Sequence, residues 1–372
     1  MLNDTEWLSF ERAINALPSQ RPININQPVL ILGAGGFARD LGSILKAAGY
    51  DLKGFVQTIP TTATFMDLPV HRLADCQEFG RTHQLMVGIF NRDTSFVELA
   101  RLASQAGFSS VTLPHQFYPQ FEQELGWRYW MSKPEDILGS IESFSTGYRR
   151  FLEERSRQRY LGILKFRLGI ADSYAGHRDQ ELQYVNKLTL PFLKGRAVCY
   201  VDGGAYDGDS YRTCLENIDV RQAFLFEPDS RNYAELVRRT SDTIDEVHCL
   251  PFALTDSYRM LSFAGGNGES ASISEKGDHT IAAVALDDVF PNKTIDFLKL
   301  DIEGSEATAL RGATNLLTRS QPLLAMSLYH KAHDLWHLPE IVHEILPDHS
   351  LHIIQHMYNS FESVLYALPR RS

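Results

Sequence analysis

What this 372-residue chain lacks first is basic surplus: 36 Lys and Arg face 46 Asp and Glu, a formal net charge of −10. Binding duplex nucleic acid takes a basic face to neutralise phosphates, so DNA or RNA is not the expected partner. Nor is there a polybasic patch to grip an anionic membrane. Cysteine is scarce as well. Cys76, Cys199, Cys214 and Cys249 show no C-x-x-C spacing, and Cys199 and Cys249 lie in apolar runs. They read as buried thiols of a reducing compartment. No stretch approaches the ~18 apolar residues that a membrane-spanning helix requires. The opening MLNDTEWLSFERAINALP has neither the basic start nor the apolar stretch of a secretory signal. The expected location is cytoplasmic. Internal repeats and low-complexity tracts are absent. With 44% hydrophobic and 22% charged residues, the composition is that of an ordinary globular protein, and the length predicts two or three domains.

The most informative stretch is VCYVDGGAYDGDS, Val198–Ser210. Val198–Val201 is a short apolar run suited to a buried parallel strand. Asp202, Gly203, Gly204, Ala205, Tyr206, Asp207 and Gly208 form a tight glycine loop, and Ser210–Asn217 can open a helix. In an open α/β sheet a ligand sits at this carboxyl end of the first strand. A second apolar run, Ala223–Phe226, ends in Glu227 and Pro228, which places an acid where it can accept hydrogen bonds from ribose hydroxyls. A pyrophosphate prefers helix amides and nearby cations, whereas this loop carries Asp202, Asp207 and Asp209 and nothing basic. That favours an adenosine ligand with a cationic end, such as the sulfonium of S-adenosylmethionine. The plainer alternative makes Asp207 and Asp209 helix caps and turn formers, but it leaves Glu227 unexplained.

The alternation continues. Arg231–Arg239 reads as a helix, Val247–Leu250 as a third strand, and Phe252, Ala253 and Leu254 as its exit, where apolar groups either border an adenine or simply fill the core. Phe263–Asp278, rich in Gly and Ser, reads as a mobile loop and lid. Ile295–Leu300 is a fourth strand ending in Asp301 and Glu303. Ser305–Leu317 is a helix, and Pro322–Leu328 a fifth strand followed by His330. A helix around Pro339–Leu346 and two strands, Leu351–Gln355 and Ser363–Ala367, close the chain as an antiparallel pair. His337 precedes Leu338 and Pro339, read as a helix break, so His333 and His337 are read as loop packing rather than as part of a zinc site with His330. The later cluster His343, His349, His352 and His356 has no ligand spacing and receives no function.

The first third carries a second nucleotide-like unit: strand Val29–Leu32, glycine loop Gly33–Ala38, helix Ala38–Ala48 and strand Leu52–Val56. Gly33, Gly35 and Ala38 satisfy G-x-G-x-x-A, and Arg39 could favour an anion. Gln57 stands where a ribose-binding acid is expected, which weakens a nicotinamide reading. Leu85–Ile89, Thr94–Ala106 and Val111–Leu113 continue the strand–helix order. Trp127–Leu193 reads as bridging helices, with Arg149, Arg150, Arg155, Arg157 and Arg159 on a solvated face among Glu153 and Glu154. The expected divisions are 1–126, 127–195 and 196–372.

The later motifs resemble the FkbM-type S-adenosylmethionine-dependent methyltransferases. The residues that carry the resemblance are VDGGAYDGDS, FLFEPD, PFALTD, DFLKLDIEGSEATALRGA, SLYHKAHDLWHLP and ESVLYAL, with SRQRYLGILKFRL and Gln183–Val185 ahead of them. The likeness runs from about Arg155 to Leu368. Residues Val29 to Pro119 more loosely resemble the nucleotide-sugar-binding domain of bacterial sugar acyltransferases, with packing or self-association into a homo-oligomer as the competing role. The first resemblance implies an α/β fold, a class I methyltransferase domain with a seven-stranded, mostly parallel sheet and a reversed final strand, preceded by a smaller Rossmann-like domain and a helical connector. It implies methyl transfer to a hydroxyl of a sugar, glycan or related metabolite, and it places the cofactor against Asp202, Gly204, Ala205, Tyr206 and Gly208. Glu227 would take the ribose, Phe252, Ala253 and Leu254 the adenine, and Asp301 the junction with the acceptor. Gly203 departs from the family's usual bulkier apolar residue, which should loosen the loop. An alkyl hydroxyl is a poor nucleophile and needs a base or a metal ion. His330 is the expected base, with Asp301 and Glu303 orienting acceptor or cofactor. The alternative is a divalent metal collected by Asp301, Glu303 and His330. The rival reading makes the first unit an NAD(P)- or nucleotide-sugar-binding domain, with the methyltransferase-like part catalytically silent.

Overall fold

The computed structural model describes residues 5–17, 23–174, 176–243, 246–264, 272–273 and 279–370. The chain divides into two compact units. One comprises Met1–Ile141, Gln158–Arg178 and Met357–Phe361; the other comprises Glu142–Arg157, Asp179–His356 and Glu362–Ser372.

The second unit is built on seven strands: β1 (Val198–Gly203), β2 (Val220–Phe226), β3 (Val247–Leu250), β4 (Phe297–Leu300), β5 (Leu323–Ser327), β6 (Ser350–Gln355) and β7 (Ser363–Leu368). They lie in the order β6-β7-β5-β4-β1-β2-β3. The pairs from β3 through β5 are parallel, and β7 runs antiparallel to both β5 and β6. Strands β1, β4, β5 and β7 are buried along their whole length, as expected of strands covered on both faces. The register sets Gly203 beside both Phe226 and Leu300. The glycine loop after β1, Glu227 after β2 and Asp301 after β4 therefore leave the sheet at one edge. This is also where strand order reverses, the usual ligand position in such sheets.

Some elements differ from the sequence reading. The expected helix Ser305–Leu317 is two helices, Glu306–Arg311 and Thr314–Ser320. The break falls at Gly312, where a Cβ would stand 2.1 Å from the Thr255 carbonyl oxygen; only the absence of a side chain permits that approach. Pro339 breaks nothing. It lies inside the helix Asp334–Ile345, whose buried Leu335, Trp336, Leu338, Ile341 and Val342 hold it in place despite the lost backbone donor. His333 caps that helix and His337 follows one turn on, their rings 6.0 Å apart. Of the expected lid, residues 265–271 and 274–278 lie outside the described residues. Phe263 and Ala264 belong to the strand Arg259–Ala264, which pairs antiparallel with His279–Val284. The arginines expected on a solvated face are largely engaged: Arg150 binds Glu340 through two hydrogen bonds, Arg157 donates to the Phe151 carbonyl, and Arg159 is buried.

The first unit holds a six-stranded sheet in the order Thr64–Phe65, Leu68–Arg72, Leu52–Gln57, Val29–Leu32, Gln84–Val87, Val111–Thr112. Its first two strands have no clear alternating signal in the sequence. Arg39, offered above to an anion, instead lies 4.7 Å over the ring of Phe65. His115 is buried beside Phe96, Trp130 and Phe166, and neither ring nitrogen has a hydrogen-bond partner among the described residues. Burial pushes its pKa down to about 4. The unfolded chain, with an ordinary imidazole near pH 6.5, therefore takes up the proton first. Stability contributed by neutral His115 is full above about pH 6.5 and is lost as pH falls toward 4, by roughly 3 kcal/mol in total. Urea midpoints measured between pH 7.5 and pH 4.5 should fall more steeply for the wild type than for His115→Phe; parallel curves would refute the assignment.

Candidate active site

The loop after β1 is shaped from beneath by a buried ion pair. Asp202 is fully buried; its Oδ1 lies 2.9 Å from Lys299 Nζ, and its Oδ2 accepts from Tyr200 Oη at 2.8 Å and Ser210 Oγ at 2.5 Å. Lys299 also donates to the Gly204 carbonyl at 2.7 Å. Burial works against the lysine's charge, yet Asp202 and then Asp301 outweigh it and hold Lys299 protonated, well above its ordinary value. Asp202 and Ser210 thus face inward and fix the loop. Gly204 adopts φ +79° with a would-be Cβ 1.9 Å from the Asp301 carbonyl oxygen, so the loop packs directly on the end of β4. Gly203 does not loosen it: a Cβ there would meet Leu254 and Leu300 at 2.8 and 2.9 Å, since those side chains already occupy the space. The loop is also not free of cations. Asp207 pairs with Arg239 and, at 3.8 Å, with Arg212, which reach it from the helices Ser230–Thr240 and Asp209–Asn217. Asp209 is the first residue of the second of these helices and accepts from the adjacent Ser210 amide at 2.7 Å.

Glu227 is where the sequence placed it, at the tip of β2. It is 6% exposed. One carboxylate oxygen accepts from the Tyr206 amide at 2.9 Å and the other from the Asp229 amide at 2.8 Å. Burial raises its pKa to about 7, and the two backbone hydrogen bonds restrain the rise. Each oxygen retains a lone pair for a further donor. Pro228 follows and leads into the Asp229 cap of the next helix. Phe252 is half-buried, while Ala253 and Leu254 are buried. Of the three, Phe252 has surface left to offer a planar ligand, and Leu254 is committed to Gly203.

At the ends of β4 and β5 the structure brings Asp301, Glu303 and His330 together. His330 is fully buried, with Nε2 3.3 Å from Asp301 and 3.8 Å from Glu303. The carboxylates above it retain side-chain exposures of 22% and 16%. Glu303 sits at φ +52°, uncommon for a residue with a side chain and a mark of local strain. Its Oε2 has no hydrogen-bond partner among the described residues. Burial raises its pKa to about 8, although the nearby His330 charge opposes this. Asp301 goes the other way: burial alone would raise it, but Lys299 and His330 bring it below the usual carboxylate range. Tyr184 donates to Asp301 at 3.1 Å, and Tyr329 reaches Glu362 at 3.2 Å.

Several of these residues had a signal in the sequence that received no role: a lysine inside the apolar strand FLKL, the Tyr of Gln183–Val185, and Glu306 three positions after Glu303. Asp301, Glu306 and His330, rather than the trio with Glu303, bring one potential ligand atom each within 4.8 Å of one another. Glu306 Oε1 is already hydrogen-bonded to His330 and to the Ile302 amide, so the divalent-metal alternative gains no support. Three histidines of the later cluster are tied into the fold: His349 contacts the Pro322 carbonyl, His352 contacts Glu153, and His356 contacts Tyr366.

In the first unit a cavity of about 490 Å³ opens beside the glycine loop, lined among others by Gly35, Phe37, Gln57, Phe90 and Asn91. Gln57 accepts from the Thr61 amide and closes its own turn.

The comparison with known families bears on the second unit. The methyltransferase FkbM domain matches residues 202–361, from Asp202 at the glycine loop to Phe361. Residues 202–361 are an FkbM-type methyltransferase domain. An FkbM-type domain implies an enzyme that uses S-adenosylmethionine as methyl donor. The chain is 24% identical over 161 residues to the 2-O-methyltransferase NoeI of Sinorhizobium fredii, a match that spans 37% of this chain and 66% of that protein, just under two thirds of its length. It also shares its fold with the crystal structure of methyltransferase FkbM from Methylobacillus flagellatus, at a TM-score of 0.74 and 21% identity over 96% of this chain and 98% of that one. The FkbM-type domain thus contains the loop, Glu227 and the Asp301–His330 cluster in one match. No helix among the described residues is long and apolar enough to cross a membrane.

Proposed function

We propose that the protein is an S-adenosylmethionine-dependent O-methyltransferase acting on a hydroxyl of a sugar, glycan or similar small metabolite. The observation that carries this reading is Glu227, buried at the tip of β2 within the FkbM-type domain and anchored by two backbone amides. An acid held there accepts ribose hydroxyls, and the loop from Gly203 to Gly208 leaves the backbone of Ala205 and Tyr206 beside it. Similarity to a 2-O-methyltransferase supports an oxygen acceptor. The neighbouring carboxylates Asp301 and Glu303 suit a molecule with adjacent hydroxyls.

When bound, S-adenosylmethionine supplies a methyl group on a positively charged sulfur. The chain's own part is alignment and proton removal; in favourable cases alignment contributes ~7–11 kcal/mol. His330, the base expected from the sequence, is fully enclosed, so an acceptor meets Asp301 and Glu303 first. Glu303 is the better base: its side chain keeps some exposure, one oxygen turned toward His330 leaves the other for the acceptor, and its pKa is about 8, near the range where a general base works best. Its carboxylate would take the proton of the acceptor hydroxyl, while Glu227 and the Gly203–Gly208 loop would hold the cofactor that supplies the methyl group. Asp301, kept ionised by Lys299 and His330, orients the acceptor by accepting a hydrogen bond.

The test is calorimetric titration with S-adenosylmethionine of the wild type and of Glu227→Ala. Micromolar binding is expected for the wild type, with at least a tenfold loss in the variant. Wild-type affinity should also weaken as pH falls through about 7, because protonation of Glu227 removes an acceptor. Absence of binding by the wild type, with NADH or a UDP-sugar bound instead, would move the site to the glycine loop at Gly33–Phe37 and sink this reading.

A further inference from the structure

Glu306 is a fully buried carboxylate in contact with His330. It opens the helix Glu306–Arg311, and its Oε1 accepts from the Ile302 amide at 3.0 Å and lies 2.8 Å from His330 Nδ1. The other ring nitrogen points at acids as well, with Asp301 at 3.3 Å and Glu303 at 3.8 Å. An ionised carboxylate can only accept. A neutral imidazole would therefore leave one of its nitrogen lone pairs facing a carboxylate on a fully buried ring. Both nitrogens carry hydrogens only in the imidazolium.

We propose that Glu306 is a positioning residue: it holds His330 as an imidazolium whose Nε2–H bridges Asp301 and Glu303, so that a fixed cation lies directly beneath the pair of carboxylates that meets the acceptor. This rests on the methyl-transfer reading for its purpose, though not for its geometry. Asp334, whose carboxyl feels the His330 charge and accepts from the Lys331 amide at 2.8 Å, and Tyr329, whose ring centre is 4.3 Å away, also face the ring; neither supplies a competing cation. The arrangement lets two adjacent carboxylates be ionised together, which like charges side by side otherwise resist. Glu303 can then lose its proton at a pH the enzyme reaches, and Asp301 stays an acceptor throughout. His330 contacts neither substrate nor cofactor; it acts through the carboxylates, and Glu306 acts through it. In agreement with the geometry, His330 is held well above the ordinary imidazole range: burial opposes its charge, but Glu306 and Glu303 outweigh it.

The test uses the full-length protein labelled with nitrogen-15 in histidine. Its 13 histidines are sorted by comparison with His330→Gln. In the wild type at pH 7.5 both His330 nitrogens should show the shifts of a doubly protonated ring, and in Glu306→Gln they should show a neutral ring. Once an acceptor is in hand, the pH of half-maximal kcat/KM should rise by about 1 or more in Glu306→Gln, with S-adenosylmethionine affinity within threefold of wild type. A wild-type His330 that is neutral at pH 7.5 overturns the proposal, even if the variant does not fold. So does an imidazolium that survives in Glu306→Gln. Failure of the wild type to bind S-adenosylmethionine would instead strike the functional reading, and the spectra would still decide the dyad.

Discussion

Glu303→Gln is expected to lower kcat by about 10²–10⁴-fold, the usual contribution of a positioned general base, while S-adenosylmethionine affinity stays within a few-fold of wild type. The amide keeps the side chain's size and its place at φ +52° but cannot take a proton. The wild-type profile should carry the same information. Glu303 titrates near pH 8 because burial opposes its charge, so kcat/KM should climb with pH to a plateau just above that value. Below it the carboxyl is protonated and the base is lost. Glu303→Gln should flatten this limb as well as lower it. Radiolabelled methyl transfer to a panel of sugar and oligosaccharide acceptors, read from pH 6 to pH 9.5, measures both. An unchanged rate in Glu303→Gln, with Asp301→Asn abolishing activity, would hand the base role to Asp301.

The second large effect is on stability. Lys299→Met should cost the second unit about 3–5 kcal/mol, the range for removing one partner of a buried ion pair. Methionine fills most of the volume, so the loss is chiefly electrostatic. Asp202, with no exposed surface, would keep Tyr200 and Ser210 as donors but lose the cation 2.9 Å away. It would also lose the tie from Lys299 to the Gly204 carbonyl, so the cofactor loop should loosen and S-adenosylmethionine affinity should fall with stability. Adding Asp202→Asn removes the stranded charge, and the double variant should recover a large part of the loss. Thermal and urea unfolding of the two single variants and the double variant form the cycle. Strict additivity would show that the pair is not coupled, and that the loop is held by its packing on Asp301 and Leu254 alone.

The order of the seven strands of the second unit's main sheet, its glycine loop and the acid at the tip of β2 were legible from the chain. These features are local. A buried parallel strand is written as an apolar run, and a tight turn as glycine where φ is positive. An acid at a strand tip is marked simply by where the run ends, so Glu227 could be named before any fold was known. The first sheet was legible in part. Thr64–Phe65 and Leu68–Arg72 are short, half-exposed and edge-like, and such strands are made by a neighbour's backbone rather than by their own pattern.

What a side chain is for was decided by contacts between distant segments. Asp202 and Asp207 looked like acids awaiting a cationic ligand because the loop itself carries no base; in the fold Lys299 and Arg239 reach them from elements 97 and 32 positions on. His330 looked like the base because it ends a strand beside the cleft, yet burial placed it under the carboxylates and moved its partner to Glu306. Gly203 looked loose until Leu254 and Leu300 were seen to fill its space. Sequence determines backbone conformation over a few residues, through sterics and apolar periodicity. Which charges are buried, and what neutralises them, depends on distances across the sheet that only the closed tertiary structure sets.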